Sequence, residues 1–293
     1  MTEKASAFVP GHVTGFFSVV RTDDPTTTGS RGGGIALSDG VRVTVESAPE
    51  TTVTLDGEPV QIEAVERVLD ALEVEAAVTG ETDLPIGAGF GVSGAMALGT
   101  ALAANSAFDR RLSRDELVTI AHGAEVQAGT GLGDVVAQAA GGISLRLEPG
   151  GPMENRLDAI PAQSRIEYVT FGELDTATVI GGDTDRLTEA GNEGVSTVVG
   201  EPTVEQFMYA SRRFAREAGL LTETVRDVIM DVAAADGEAS MAMLGETVFA
   251  TGEGLSAAGY DPAVCRVDPT GATLVDGRHA GTENSTLSSN ASQ

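Results

Sequence analysis

The sequence predicts an α+β protein of two domains, and three observations carry that expectation. A chain of 293 residues exceeds the size at which a single core usually stops growing. Segments that alternate apolar and polar residues are interleaved with segments of helical spacing. Residues 148–163, EPGGPMENRLDAIPAQ, hold three prolines and two glycines, the composition of a boundary. The expected domains are 1–155 and 156–280, with a disordered, aperiodic tail at 281–293.

Along the first domain, Ala5 to Val9 reads as a short strand ending at Pro10-Gly11, and His12 to Val20 continues as apolar sequence. The polar stretch DDPTTTGSRGGG, 23–34, reads as a flexible loop. Val41, Val43 and Val45 alternate with polar residues, as does TTVTL at 51–55, so two half-buried antiparallel strands are expected. Ile62, Val65, Leu69 and Leu72 follow helical spacing, and a strand near 76–78 leads into PIGAGFGVSGAMALGTALAAN, residues 85–105. Ser113 and Glu116 form a capping-box pattern for the next helix, which stops in GTGLGD. Ile143, Leu145 and Leu147 then alternate with Ser144, Arg146 and Glu148, a strand closing the domain. The second domain reads β, β, helix, helix, β, β: strands near 165–171 and 177–181, helices near 203–218 and 222–235, and further strands at 241–250 and 272–275.

The 44 acidic residues against 18 basic ones leave a formal charge of -26, which argues against nucleic-acid and anionic-membrane binding, because a phosphate backbone would be repelled across most of the surface. Lys4 is the sole lysine. Acidic excess with lysine depletion suits a halophilic cytoplasm, where salt screens self-repulsion. Cys265 is the single cysteine, so no intrachain disulfide exists.

The glycine-dense loop running into a helix of small residues at 85–105 is an anion seat, because the first helical amides lack acceptors and sit at the positive end of the dipole. Gly89-Phe-Gly91-Val-Ser-Gly94 matches the dinucleotide fingerprint, but its lead-in is polar and broken by Pro85, and no acidic strand end follows at the required distance. A Walker A loop is excluded by the absence of lysine.

The longer string, Pro85-x-Gly87-x-Gly89-Phe90-Gly91-Val92-Ser93-Gly94, resembles the second motif of the GHMP kinases, with Val92 in place of that motif's first serine. Pro10-Gly11-His12-Val13-Thr14-Gly15-Phe16-Phe17 resembles the family's N-terminal motif, and Ser240 to Gly245 sits where its C-terminal motif belongs. The combination, with GTGLGD, is most similar to the archaeal pantoate kinases within that superfamily.

The resemblance implies a ribosomal-S5-like N-terminal domain and a ferredoxin-like C-terminal domain, with ATP between them. It also implies homodimerisation and transfer of the γ-phosphate of MgATP to pantoate, giving 4-phosphopantoate. Another small-molecule GHMP kinase, acting on shikimate, homoserine or a mevalonate derivative, is the first alternative; an ATP-binding sensor without turnover is the second. Pro85, Gly87, Gly89, Gly91, Val92, Ser93 and Gly94 are then the ATP-binding residues. Ser93 and Glu125 are the Mg²⁺ ligands, although a serine at a helix start also caps its own backbone and a glutamate in so acidic a chain also serves solvation. Asp134 faces the substrate hydroxyl as general base or orienting acceptor, or else is a helix N-cap. For the substrate, the planar fork of Arg146 matches a carboxylate, unless it lies on a solvated strand face. His122 serves substrate or structure, and Thr184 reaches the cleft from the second domain.

Overall fold

The computed structural model describes residues 4–173, 184–243 and 245–275. The strand expected at 177–181 and the tail from 281 lie outside them. The strands are β1 (Lys4–Val20), β2 (Gly29–Ser47), β3 (Thr52–Leu55), β4 (Glu58–Pro59), β5 (Ala76–Thr82), β6 (Ile143–Glu148), β7 (Arg156–Ile160), β8 (Arg165–Glu173), β9 (Glu238–Ala242), β10 (Gly245–Thr251), β11 (Ala263–Arg266) and β12 (Thr273–Val275). The helices are α1 (Glu63–Ala71), α2 (Val92–Ala107), α3 (Arg114–Ala128), α4 (Asp134–Ala140), α5 (Asp185–Gly200), α6 (Val204–Glu217), α7 (Glu223–Ala234) and α8 (Gly254–Ala257).

An eight-stranded sheet runs in the order β12-β1-β2-β5-β3-β4, with β6 also pairing β2 and carrying β7. The second sheet has four strands, β11-β8-β10-β9. The change of sheet along the chain falls between β7 and β8, and β12 returns to flank β1 at Ser6 to Phe8. Helices α1, α2 and α3 pack together, with α2 on β1 and β2, while α5 and α6 dock on β1 as well. Phe16 meets Phe207, and Phe17 meets Phe214, with ring centroids 5.6 and 5.5 Å apart. Among the described residues no helix is long and apolar enough to cross a membrane.

Several local expectations change. β1 does not stop at Pro10-Gly11 but passes through it with a register shift; β12 pairs only with residues 6–8, so the missing proline N–H breaks no ladder on that side. The stretch 29–34 is strand, not loop. Gly33 lies against Phe16 and Gly34 against the His12 ring, so close that a Cβ at either would crowd or overlap its neighbour. Those glycines serve close packing, not mobility. The strands at 41–45 and 51–55 are not partners, because β5 lies between them and pairs β3 in parallel. The boundary stretch 148–163 contains β7, paired with β6.

Helix α5 has no counterpart in the sequence reading, because Gly191, Gly194 and Gly200 weaken its helical signal. Gly191 instead brings the helix onto β1, where a Cβ would overlap the Phe17 carbonyl, and one at Gly194 would come within 2.8 Å of the Phe16 ring. Gly191→Ala is therefore expected to destabilise the fold by about 1–3 kcal/mol through overpacking, despite alanine's better helix propensity. Urea unfolding measures it; equal midpoints for variant and wild type would contradict this packing.

Candidate active site

The glycine loop is clamped before it reaches α2. Gly89 has φ of 90°, and a Cβ there would lie 2.8 Å from the Met243 carbonyl. Across the same contact Gly245 leaves no room for a Cβ beside Ala88, while Thr247 Oγ1 donates to the Ala88 carbonyl at 2.9 Å. The C-terminal motif thus holds the loop from β10 by tight backbone packing. Beyond the loop, the Gly91 carbonyl accepts from Gln138 Nε2 at 2.9 Å.

The N-cap of α2 is Gly91, with no side-chain capping bond. The first intrahelical bond runs from Ala95 N–H to the Gly91 carbonyl, so the amides of residues 92–94 precede the helical ladder, as an anion seat requires. Ser93 does not cap its own helix. Its Oγ donates to Glu125 Oε1 at 2.6 Å, and Thr130 Oγ1 donates to the same oxygen at 2.9 Å. Glu125 is not a solvated helix residue; it is 2% exposed, and burial pushes its carboxyl up to about 7 against the opposing bonds from Ser93 and Thr130.

Asp134 is not an N-cap either: Gly133 holds that position. Its Oδ1 lies 2.6 Å from His12 Nδ1 and 3.3 Å from Thr14 Oγ1. Burial alone would raise the Asp134 carboxyl, but His12, Arg146 and Thr14 together leave it below its ordinary value. Arg146 is 3% exposed, and its Nε and Nη1 are buried without a protein partner. Ser30 and Gly133 flank it; a Cβ at 133 would lie 2.6 Å from both Arg146 Nε and Ser30 Oγ.

Two cavities meet at Asp134. The larger, about 360 Å³, has Gly87, Gly89, Gly91, Val92, Ser93 and Gly94 in its wall, together with Glu125 and Asp134. Leu55, Val60, Ile62 and Ile86 form an apolar part of that wall. The smaller, about 20 Å³, shares Thr14 and Asp134 and is lined by Arg146 and Ser30. Pro85, His122 and Thr184 line neither. His122 Nε2 lies 2.8 Å from the Thr28 carbonyl, and burial lowers its pKa, which makes it a neutral residue bracing the 22–28 turn. Thr184 is the N-cap of α5 and makes no side-chain capping bond. Sequence reasoning missed His12, Thr14 and Gln138. The first two stood in a motif already noted, but nothing local links them to a residue 122 positions away.

A glycine loop ending in free helix-start amides, a hydroxyl–carboxylate pair beside it and a second carboxylate at the junction are the parts that phosphoryl transfer calls for. Residues 60–142 match the family model described as GHMP kinases N terminal domain. The pantoate kinase of Methanospirillum hungatei is 35% identical over 261 residues, covering 85% of this chain and 88% of that one. The chain belongs to the GHMP kinases. The pantoate kinase of Thermococcus kodakarensis is 36% identical to this GHMP kinase over 260 residues, 83% of this chain and 86% of that one. A solved structure described as a phosphotransferase related to the CoA biosynthesis pathway superposes with a TM-score of 0.84 at 30% identity, covering 95% of this chain and all 100% of that one.

The elevated carboxyl at Glu125 has a thermodynamic signature in this GHMP kinase. Its folded pKa, about 7 against an ordinary 4.5, means that the folded state holds the proton more tightly. Stability is therefore lost as pH rises from the ordinary value through the raised one. Glu125→Gln, which keeps an acceptor for Ser93 and Thr130, is expected to be more stable than wild type by about 3 kcal/mol at pH 8. The gain should vanish below pH ~4. Metal-free denaturant melts at the two pH values check it; a pH-independent difference would contradict the assignment.

Proposed function

We propose that this chain is an ATP-dependent pantoate kinase that converts pantoate to 4-phosphopantoate. The observation carrying this reading is Arg146: a buried guanidinium with two unpartnered nitrogens, in a cavity that shares Asp134 with the phosphate-loop cavity. A substrate bearing both a carboxylate and a hydroxyl meets both demands, and relatives over most of the chain carry the name pantoate kinase.

ATP fits the larger cavity, with its phosphates on the loop and the amides of 92–94 and its base against Leu55, Val60, Ile62 and Ile86. Mg²⁺ fits the Ser93–Glu125 pair, two adjacent oxygens of the hard type that it prefers. When bound, it supplies positive charge to the phosphate oxygens. Arg146 seats the carboxylate. Asp134, a weak base at its lowered pKa, orients the hydroxyl and accepts its proton late. The hydroxyl oxygen bonds to the γ-phosphorus as the bond to the β–γ bridging oxygen breaks, and ADP leaves. A homodimer in a salt-rich cytoplasm completes the proposal.

The test is ADP release at high KCl with ATP and Mg²⁺ across pantoate, homoserine, shikimate and mevalonate. Turnover with pantoate supports the proposal, and turnover confined to another alcohol overturns it.

A further inference from the structure

His12 has no part in the steps above, yet it is built into the site. Its side chain is 0% exposed, whereas that of Asp134 is 21% exposed, on the cavity. A carboxylate has no proton to give, so in the 2.6 Å contact His12 Nδ1–H donates to Asp134 Oδ1. The ring occupies space that only a glycine at position 34 leaves free, and its Nε2 is buried without a partner. A histidine kept for packing alone gains nothing from an unsatisfied buried nitrogen, which is unfavourable. What this ring does have is one short bond to the residue at the junction of the two cavities. Both hydrogen bonds to Asp134, from His12 and Thr14, fall on Oδ1; none among the described residues reaches Oδ2.

We propose that His12 is the positioning residue of the phosphoryl transfer: its Nδ1–H anchors Oδ1 of Asp134 so that Oδ2 is presented to the substrate hydroxyl. This rests on the reading of Asp134 given above. The charged and titratable groups acting on Asp134 are His12 on β1, Arg146 on β6, which attracts, and Glu125 on α3, whose charge opposes that of Asp134. Burial keeps the ring neutral, the largest influence on it. Without the Nδ1–H donor, burial pushes the Asp134 carboxyl up, so the acid limb of the kcat profile moves to higher pH.

The experiment compares His12→Leu, His12→Asn and Asp134→Ala in the full chain at high KCl, with saturating Mg²⁺ and ATP and the substrate identified by the panel. It reads kcat against pH, KM for ATP and thermal unfolding. His12→Leu is expected to lose about 100-fold in kcat, with KM for ATP within about twofold and the acid limb displaced upward. Asparagine offers an amide N–H near the Nδ1 position, so His12→Asn should recover at least about tenfold and return the acid limb to its wild-type place. A loss under about tenfold in His12→Leu overturns the inference, as does a larger loss that asparagine does not rescue. If the leucine variant fails to fold, the asparagine variant decides: kcat above about a tenth of wild type supports the inference and a lower value overturns it. Asp134→Ala separates the two levels. Full activity there removes the reading of Asp134 itself, whereas an inactive Asp134→Ala beside a fully active His12→Leu removes only the inference.

Discussion

Asp134→Ala is expected to lower kcat by about 10²–10⁴-fold, the range for losing a positioned proton acceptor. The site concentrates hydrogen bonds on this side chain: His12 and Thr14 both converge on Oδ1, while the residue stands in the wall of both cavities. On the proposed reading, removing it deletes the acceptor for the hydroxyl, and it leaves His12 Nδ1–H with only the Thr14 hydroxyl at 3.4 Å, so some destabilisation accompanies the kinetic loss. KM for ATP should change little, because the loop, Ser93 and Glu125 stay in place. Steady-state kinetics check this, and a near-normal kcat would remove the proposed mechanism.

Arg146→Met should act in the opposite way on stability and binding. A buried guanidinium whose Nε and Nη1 have no hydrogen-bond partner is unfavourable, and its pKa is lowered chiefly by burial, partly offset by Asp134. Replacement by an apolar chain of similar length is therefore expected to leave the melting temperature unchanged or raise it. KM for pantoate should rise by at least about 100-fold, since charge-assisted bonds contribute about 1.5–3 kcal/mol each, while KM for ATP stays near wild type. A pantoate KM within about threefold of wild type would place the carboxylate elsewhere. A stability gain at the cost of substrate recognition is the mark of a functional buried charge.

The features legible in the sequence are local ones. The capping box at Ser113 and Glu116 forms with both of its bonds, because cap geometry is decided within one turn. The loop at 85–91 and the start of α2 follow from glycine spacing and the apolar run after it. Arg146 shows why the rest was not readable at this level. Alternation at 143–148 puts Ile143, Leu145 and Leu147 on one face and Ser144 and Arg146 on the other, which by itself leaves a solvated strand face open for Arg146 beside the substrate role its planar fork suggests. Yet Ser144 and Arg146 are 2% and 3% exposed, because β6 lies between β2 and β7 in a sheet with packing on both faces. Period-two patterning separates the two faces but does not say that both are covered. Glycine has the same ambiguity: at 32–34 and at 191 and 194 it signals loop or weak helix in one dimension and close approach in three.

By itself the sequence determined the glycine loop ahead of α2, the candidate hydroxyl and carboxylates and the likeness to the GHMP kinases, since each depends on residue type and short spacing. The tertiary structure alone decided which of those residues meet and how each is buried. Ser93 meets Glu125 across 32 positions and Asp134 meets His12 across 122. Burial pushes Glu125 up, while the same burial at Asp134 is outweighed by His12, Arg146 and Thr14. Pairings over such separations, and the desolvation that shifts a pKa, arise only when strands and helices distant in the chain are packed together.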